Sequence, residues 1–113
     1  MIEIEAVLDE NDVLRSCKAV GHARAGRTGT DIVCAAVSVL MRAAVSSLLE
    51  REGITLRYDE PKKKEGFLNL EADYTAEGKD FLYAVGVFLI EGIASVAEEY
   101  PQNCKLTIKN FSF

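Results

Sequence analysis

The feature that most constrains this chain is the uncharged run from Ile32 to Met41, which opens a segment reading as a long helix. Its first three turns are apolar on nearly every side, so such a helix expects a sheet on one side and a second cover on the other. The run is far too short to cross a bilayer. Thr30 is a suitable cap, Asp31 sits favourably at the positive end of the helix dipole, and Gly53 can close the helix near Glu52. The spacing therefore predicts a helix over 30–52.

Alternation of apolar and polar residues surrounds it. Ile2-Glu3-Ile4-Glu5, extended by Val7-Leu8, reads as a half-buried strand. After the polar turn cluster Asp9-Glu10-Asn11-Asp12, residues 13–21 alternate less cleanly and return as a second, antiparallel strand. Residues 23–29 hold two Gly and two Arg without apolar period and read as a loop. Strands are expected again over 54–59 and 67–74, joined by the loop 60–66. A second long helix is expected over 75–99, with Leu82, Val85, Leu89, Ile93 and Val96 along one face. Pro101 cannot continue it, and a last strand follows over 106–111. The order is β-β-α-β-β-α-β, for which two helices packed on one mostly antiparallel sheet form the natural two-layer α+β solution. At 113 residues, the chain fits a single domain, 1–113.

Charge and cysteine content narrow the function. Thirteen basic against eighteen acidic residues leave a net charge of −5, which repels a phosphate backbone, so no direct nucleic-acid partner is expected. Lys62-Lys63-Lys64, between Pro61 and Gly66, fits a solvated turn better than an RNA contact. The N-terminus lacks a basic region followed by an apolar block, so no secretory signal is read. Cys17, Cys34 and Cys104 are odd in number and widely spaced, giving neither a disulfide framework nor paired zinc ligands. A cytoplasmic protein with no membrane partner, no metal and no cofactor is the simplest expectation.

Chemistry concentrates between the second strand and the first helix. The sole histidine, His22, stands where the strand runs out, and Cys34 follows twelve residues later in the first turns of the helix. A helix N-terminus and a neighbouring imidazole both favour the thiolate that attack on a carbonyl requires. A cysteine flanked by Ile32, Val33, Ala35, Ala36 and Val37 equally fits a core position, and spacing alone leaves the two readings open. If Thr30 caps the helix, the Cys34 N–H is already bonded to the Thr30 carbonyl. The oxyanion donors would then be the N–H groups of Asp31, Ile32 or Val33. The segment from Gly21 to Thr28 also nearly spells a phosphate-binding loop, G-x-x-x-x-G-K-[ST], but with Arg27 for the lysine and without a parallel sheet. A docking module without catalysis, with Cys34 as core, is the other alternative.

Gly21-His22-Ala23, followed by Gly29-Thr30-Asp31-Ile32-Val33-Cys34-Ala35-Ala36-Val37-Ser38, closely resembles the signature of the bacterial ribosomal-processing cysteine proteases, the Prp family. The resemblance implies that Cys34 is the nucleophile and His22 the general base. It further implies a homodimer that removes a short N-terminal extension from a large-subunit ribosomal protein during ribosome assembly. Asp31 and Ser38 match two further family positions and, with Gly21, are supporting candidates. On a helix, Asp31, Cys34 and Ser38 fall at i, i+3 and i+7 and share one face. Arg24 and Arg27, which match no family motif, are substrate-loop candidates together with Gly26 and Gly29.

Overall fold

In a computed structural model of the protein, the described residues are 1–21, 28–59 and 67–113, with the backbone alone at 28–31. The elements are β1 (Ile2–Leu8), β2 (Leu14–Val20), α1 (Thr28–Leu48), β3 (Ile54–Asp59), β4 (Asn69–Tyr74), α2 (Lys79–Glu99) and β5 (Cys104–Asn110). They follow the expected order. The five strands form one sheet, β3-β4-β2-β1-β5, antiparallel except for the pair β1–β5. Both helices cover one face of it, giving the two-layer α+β fold.

Alternation decides which side chains enter the core. Ile2, Ile4 and Ala6 of β1 are buried while Glu3 and Glu5 face water. Leu70 and Ala72 do the same for β4. Val33, Val37, Met41 and Leu48 of α1, and Leu82, Leu89 and Ile93 of α2, close the core from above. Each fully buried side chain of this size contributes about 1.5–3 kcal/mol relative to its exposed state.

Several boundaries differ from the sequence reading. The first helix starts at Thr28, so Thr30 lies inside it and does not cap it. It ends at Leu48, well before Gly53, because Glu50 adopts a left-handed φ of 59°. Gly53, at φ 78°, instead brings its backbone against Gly78, where a Cβ would lie 2.3 Å from the Gly78 nitrogen. Thr75 donates to the Gly53 carbonyl and Gly78 donates to that of Thr75, so residues 75–78 form a turn and α2 begins only at Lys79. The strand expected from Phe67 starts at Asn69, whose N–H turns back to the Phe67 carbonyl at 3.1 Å. The last strand is displaced from 106–111 to Cys104–Asn110, where it runs beside all of β1.

The second cover expected for α1 is absent within the described residues. Ile32 and Val39 are 45% and 60% exposed, and Phe88 of α2 is 74% exposed. α2 is 21 residues long and holds an 18-residue stretch of mean hydropathy 1.7, long and apolar enough to cross a membrane by length and composition. Here its Leu82, Gly86, Leu89 and Ile93 are buried against the rest of the fold.

The junction of β2 with β4 is unusually short. Only Ser16–Glu71 and Cys17–Leu70 pair, although β3 and β4 pair along all six residues. Side chains take over at both flanks of this seam. Arg15 Nε donates to the Ala72 carbonyl at 2.9 Å on one flank, and the Ala19 N–H donates to Asn69 Oδ1 at 2.9 Å on the other.

The two glycines inside α2 have different surroundings. A Cβ on Gly86 would lie 2.8 Å from Leu14 Cβ, which is fixed to a buried strand, whereas one on Gly92 would meet the methyl end of Leu40 at 2.8 Å. Overpacking of the first kind costs about 1–3 kcal/mol, more than the ~1 kcal/mol of helix propensity that alanine restores. Gly86→Ala is therefore expected to lower Tm, while Gly92→Ala, relieved by rotation of Leu40, leaves it unchanged or raises it. Paired thermal melts check the difference.

Candidate active site

The candidate site lies where β2 ends and α1 begins. Gly21 follows the last residue of β2 with φ 139° and packs on the start of β1. A Cβ there would stand 2.5 Å from the Met1 carbonyl oxygen and 2.9 Å from Ile2 Cα. Ile2 in turn is fully buried and donates its N–H to the Asn103 carbonyl at 2.8 Å. Glycine is thus required at position 21 for two separate reasons, its dihedral and its contact. His22 is covalently the next residue, and it lies outside the described residues together with Arg24, Gly26 and Arg27.

Cys34 occupies the second turn of α1 and is half-buried, with Val96, Ala97 and Tyr100 of the α2 end among the residues of its cluster. Ser38, one turn on, is also half-buried. Asp31 is on the same helix, in the register that places positions 31, 34 and 38 on one face, and Gly29 stands in its first turn. A helical side chain leans toward the N-terminus of its own helix and covers the preceding turn, so the Cys34 thiol points toward the start of α1.

The earlier helix start changes the candidate oxyanion donors. With α1 beginning at Thr28, the Ile32 and Val33 N–H groups are committed to the Thr28 and Gly29 carbonyls by the i→i−4 pattern. Asp31 N–H likewise belongs to the first intrahelical bond. The groups left unpaired by helix geometry are those of Thr28, Gly29 and Thr30, one turn before Cys34. Gly29 thereby becomes a candidate for backbone donation.

The other two thiols are placed differently. Cys17 is fully buried in β2, and desolvation pushes its thiol up to about 12. Cys104 is buried at the start of β5 and is raised for the same reason. None of the three is in a disulfide. Among the described residues no group of three His, Cys, Asp or Glu side chains is arranged to hold a metal ion. Both neighbours of β2 are antiparallel, so the strand lacks the parallel β-α context that a phosphate-binding loop needs.

Comparison with known proteins identifies the family and the fold. A family model for the cysteine protease Prp matches residues 1–105. No curated protein sequence matches significantly. The crystal structure of SMU.848 from Streptococcus mutans is similar with a TM-score of 0.81 and 27% identity, over 97% of this chain and 95% of that one. The essential ribosomal processing protease Prp from S. aureus, in complex with a substrate peptide, is similar in fold with a TM-score of 0.78 and 19% identity. That match covers 96% of this chain and all of the other. The same S. aureus protease with a covalently linked product peptide has a TM-score of 0.78 at 20% identity. The family match places this small two-layer α+β domain among the cysteine proteases. The chain belongs to the Prp family of these enzymes, which removes the non-catalytic docking module as a reading.

Alkylation with iodoacetamide at pH 8, mapped by mass spectrometry, is expected to modify Cys34 and to spare Cys17 and Cys104 in the folded protein. A thiol that titrates at about 12 holds only about one part in ten thousand as thiolate at that pH. Equal labelling of all three would contradict the burial described above.

Proposed function

We propose that this chain is a ribosomal-processing endopeptidase, active in the cytosol, that removes a short N-terminal extension from a large-subunit ribosomal protein. Cys34 is the nucleophile and His22 its general base. The observation that carries this reading is the contrast among the thiols: only Cys34 combines partial exposure with a place one turn behind the unpaired N–H groups of a helix start. The S. aureus structure with a covalently linked product peptide supports it, since a covalent adduct is what nucleophilic catalysis requires.

In the proposed reaction His22 accepts the Cys34 proton, and the thiolate adds to the scissile carbonyl carbon. The resulting oxyanion is met by backbone N–H groups from the first turn of α1, Thr28 to Thr30, which stabilise the charge as it develops. Collapse breaks the C–N bond, and His22 returns the proton to the departing amine. Water, deprotonated by His22, then hydrolyses the Cys34 thioester and frees the thiol. Asp31 and Ser38 support this face of the helix, and Arg24, Gly26, Arg27 and Gly29 belong to the segment that meets the peptide. A net charge of −5 draws a basic ribosomal tail towards the enzyme, a contribution that salt weakens.

The decisive experiment incubates the purified enzyme with the host ribosomal protein bearing its extension. Wild type should release the extension. Cys34→Ser should abolish release, and His22→Ala should slow it by about 10²–10⁴-fold, the usual contribution of a positioned base. Cleavage by Cys34→Ser at the wild-type rate would overturn the assignment.

The uncovered helical face supports the homodimer that belongs to the same proposal. Leu40, Ala43 and Ala44 of α1 face Ala84, Val85 and Phe88 of α2 across an apolar groove of about 270 Å³. With Val39 and Phe88 mostly in water, a second copy is the occupant that would supply the missing cover of α1. Phe88→Glu should shift the protein from dimer to monomer in light scattering while retaining the fold by circular dichroism. A dimer undisturbed by this change would place the interface elsewhere.

A further inference from the structure

Among the described residues the sheet ends in two free edges, β3 on one side and β5 on the other. They are not alike. β5 carries Lys105 and Lys109, the kind of charge that keeps an edge from pairing with a further strand. β3 has no lysine, no proline and no bulge, and it pairs with β4 in unbroken register over all six residues. Its one cation, Arg57, is turned inward to Glu71 at 3.4 Å and Asp73 at 2.9 Å. None of the six residues is buried, and Tyr58 is 37% exposed.

Backbone geometry shows what this edge offers. The Thr75 N–H bonds the Gly53 carbonyl at 2.8 Å, so by antiparallel alternation Thr55, Arg57 and Asp59 turn their backbone groups toward β4. Leu56 and Tyr58 turn theirs outward. The Ala72 carbonyl has the same phase: opposite Leu56, it faces away from β3 and accepts from Arg15 Nε on the β2 side. Ile54 spends its N–H on the Arg51 carbonyl, so the open donors are those of Leu56 and Tyr58.

The flank of α1 above this edge carries Cys34. β2 and β3 both run antiparallel to β4, hence parallel to each other, and α1 connects them by crossing over β4 in the opposite direction. α2, which crosses from β4 to β5, lies on the other side of α1, with Gly92 beside Leu40 and Phe81 under Arg51. Around α1, Cys34 and Ser38 stand about 120° and 160° from Leu40, past the buried Val37 and Met41. They therefore face away from α2, toward β3. Leu48, at the far end of the helix, shares a core cluster with Ile54 and Leu56, so Cys34 lies toward the Asp59 end of β3.

We infer that the substrate tail binds as an added strand on β3, extended, with alternate apolar side chains against the flank of α1. This rests on the proposed endopeptidase and specifies how its peptide is held. The main-chain groups of Leu56 and Tyr58 supply the pairing, and the added strand runs along α1 to the flank that bears Cys34. A basic tail suits this edge, where Arg57 is neutralised, and is opposed by Lys105 on β5.

Tyr58→Pro removes one outward donor and leaves the β3–β4 ladder intact. The Ile2 N–H bonds the Asn103 carbonyl, which by parallel alternation turns the Ile108 N–H outward, so Ile108→Pro is the matching change on β5. For a synthetic tail peptide spanning the cleavage position, kcat/KM is expected to fall about tenfold in Tyr58→Pro. It should stay at the wild-type value in Tyr58→Val and Ile108→Pro. Iodoacetamide labelling of Cys34, which needs no bound strand, should be unchanged in all three, with Cys17 labelling as the reporter of unfolding. In Cys34→Ser, saturating tail peptide should slow amide exchange at Leu56 and Tyr58 roughly tenfold and leave Leu106 and Ile108 unchanged. Unprotected Leu56 and Tyr58 amides, or wild-type kcat/KM in folded Tyr58→Pro, overturn this inference and leave the endopeptidase standing. An equal fall in Ile108→Pro, or a fall matched by slower Cys34 labelling, overturns it as well. A wild type that does not cleave the tail peptide overturns both readings. Should Tyr58→Pro expose Cys17 to labelling, the exchange measurement alone decides.

Discussion

Two residue pairs, Ser16 with Glu71 and Cys17 with Leu70, are the backbone ladder that joins the two parts of the sheet. On one side β5, β1 and β2 are paired at length, and on the other β3 and β4 form a full hairpin. Across the seam run charges of alternating sign on the face away from the helices. Lys18 pairs with Glu71 at 2.9 Å and Arg15 with Asp73 across it, while Arg57 of β3 pairs with the same Asp73 at 2.9 Å within the hairpin. Exposed pairs such as Lys18–Glu71 contribute little individually. Their value lies in closing a junction where the backbone itself makes few bonds.

Asp9 belongs to a different order of effect. It is the buried charged residue among the described ones, and it organises the β1–β2 turn by accepting from the N–H groups of Asn11 at 2.8 Å and Val13 at 3.1 Å. Burial by itself would raise this carboxyl. The bonds from Tyr74 Oη, Val13 and Asn11, with the Arg15 guanidinium 3.6 Å away, outweigh it and hold the group below the usual carboxylate range. A carboxyl depressed in the folded state stabilises the fold above its unfolded pKa, and that contribution is lost as pH falls through the lowered value. Since Tyr74 ends β4 and Asp9 follows β1, the same carboxylate ties together both parts of the sheet at the end away from the active site.

Strands whose alternation is strict were legible to the residue. Ile2–Leu8 and Ile54–Asp59 need only period two to define them. The helix ends were less so, because Thr28 and Gly29 have no side chain that marks a helix, and Glu50 ends α1 through its backbone dihedral rather than its identity. Cys34 and Gly21 were legible because a short motif places them, yet the reason for Gly21 was not, since its contact with Met1 joins the start of β1 to the end of β2. Asn69 was invisible in the sequence. Its role exists only because a ladder bond is missing between strands fifty residues apart, |19−69| in the chain, and no local pattern reports a missing bond.

Cys34 stands on α1 rather than on a loop, and the apolar character of that helix is what fixes its place. Val33, Val37 and Met41 are fully buried against the sheet, so the backbone that presents the thiol cannot turn or slide without opening the core. Cys34 stands one position off that buried line and is only partly buried, with Val33 dry on one side and Ala35 exposed on the other. The end of β2 has fewer constraints: Gly21 against Met1, Val20 against Glu3, and the Asn69 side chain on the Ala19 N–H. Precision at this site is therefore unequal. Cys34 is set by packing, worth many contacts at once, whereas the end of β2 is set by a few single contacts near a narrow seam. Changes at the seam should consequently be felt at the end of β2 before they reach the core under α1.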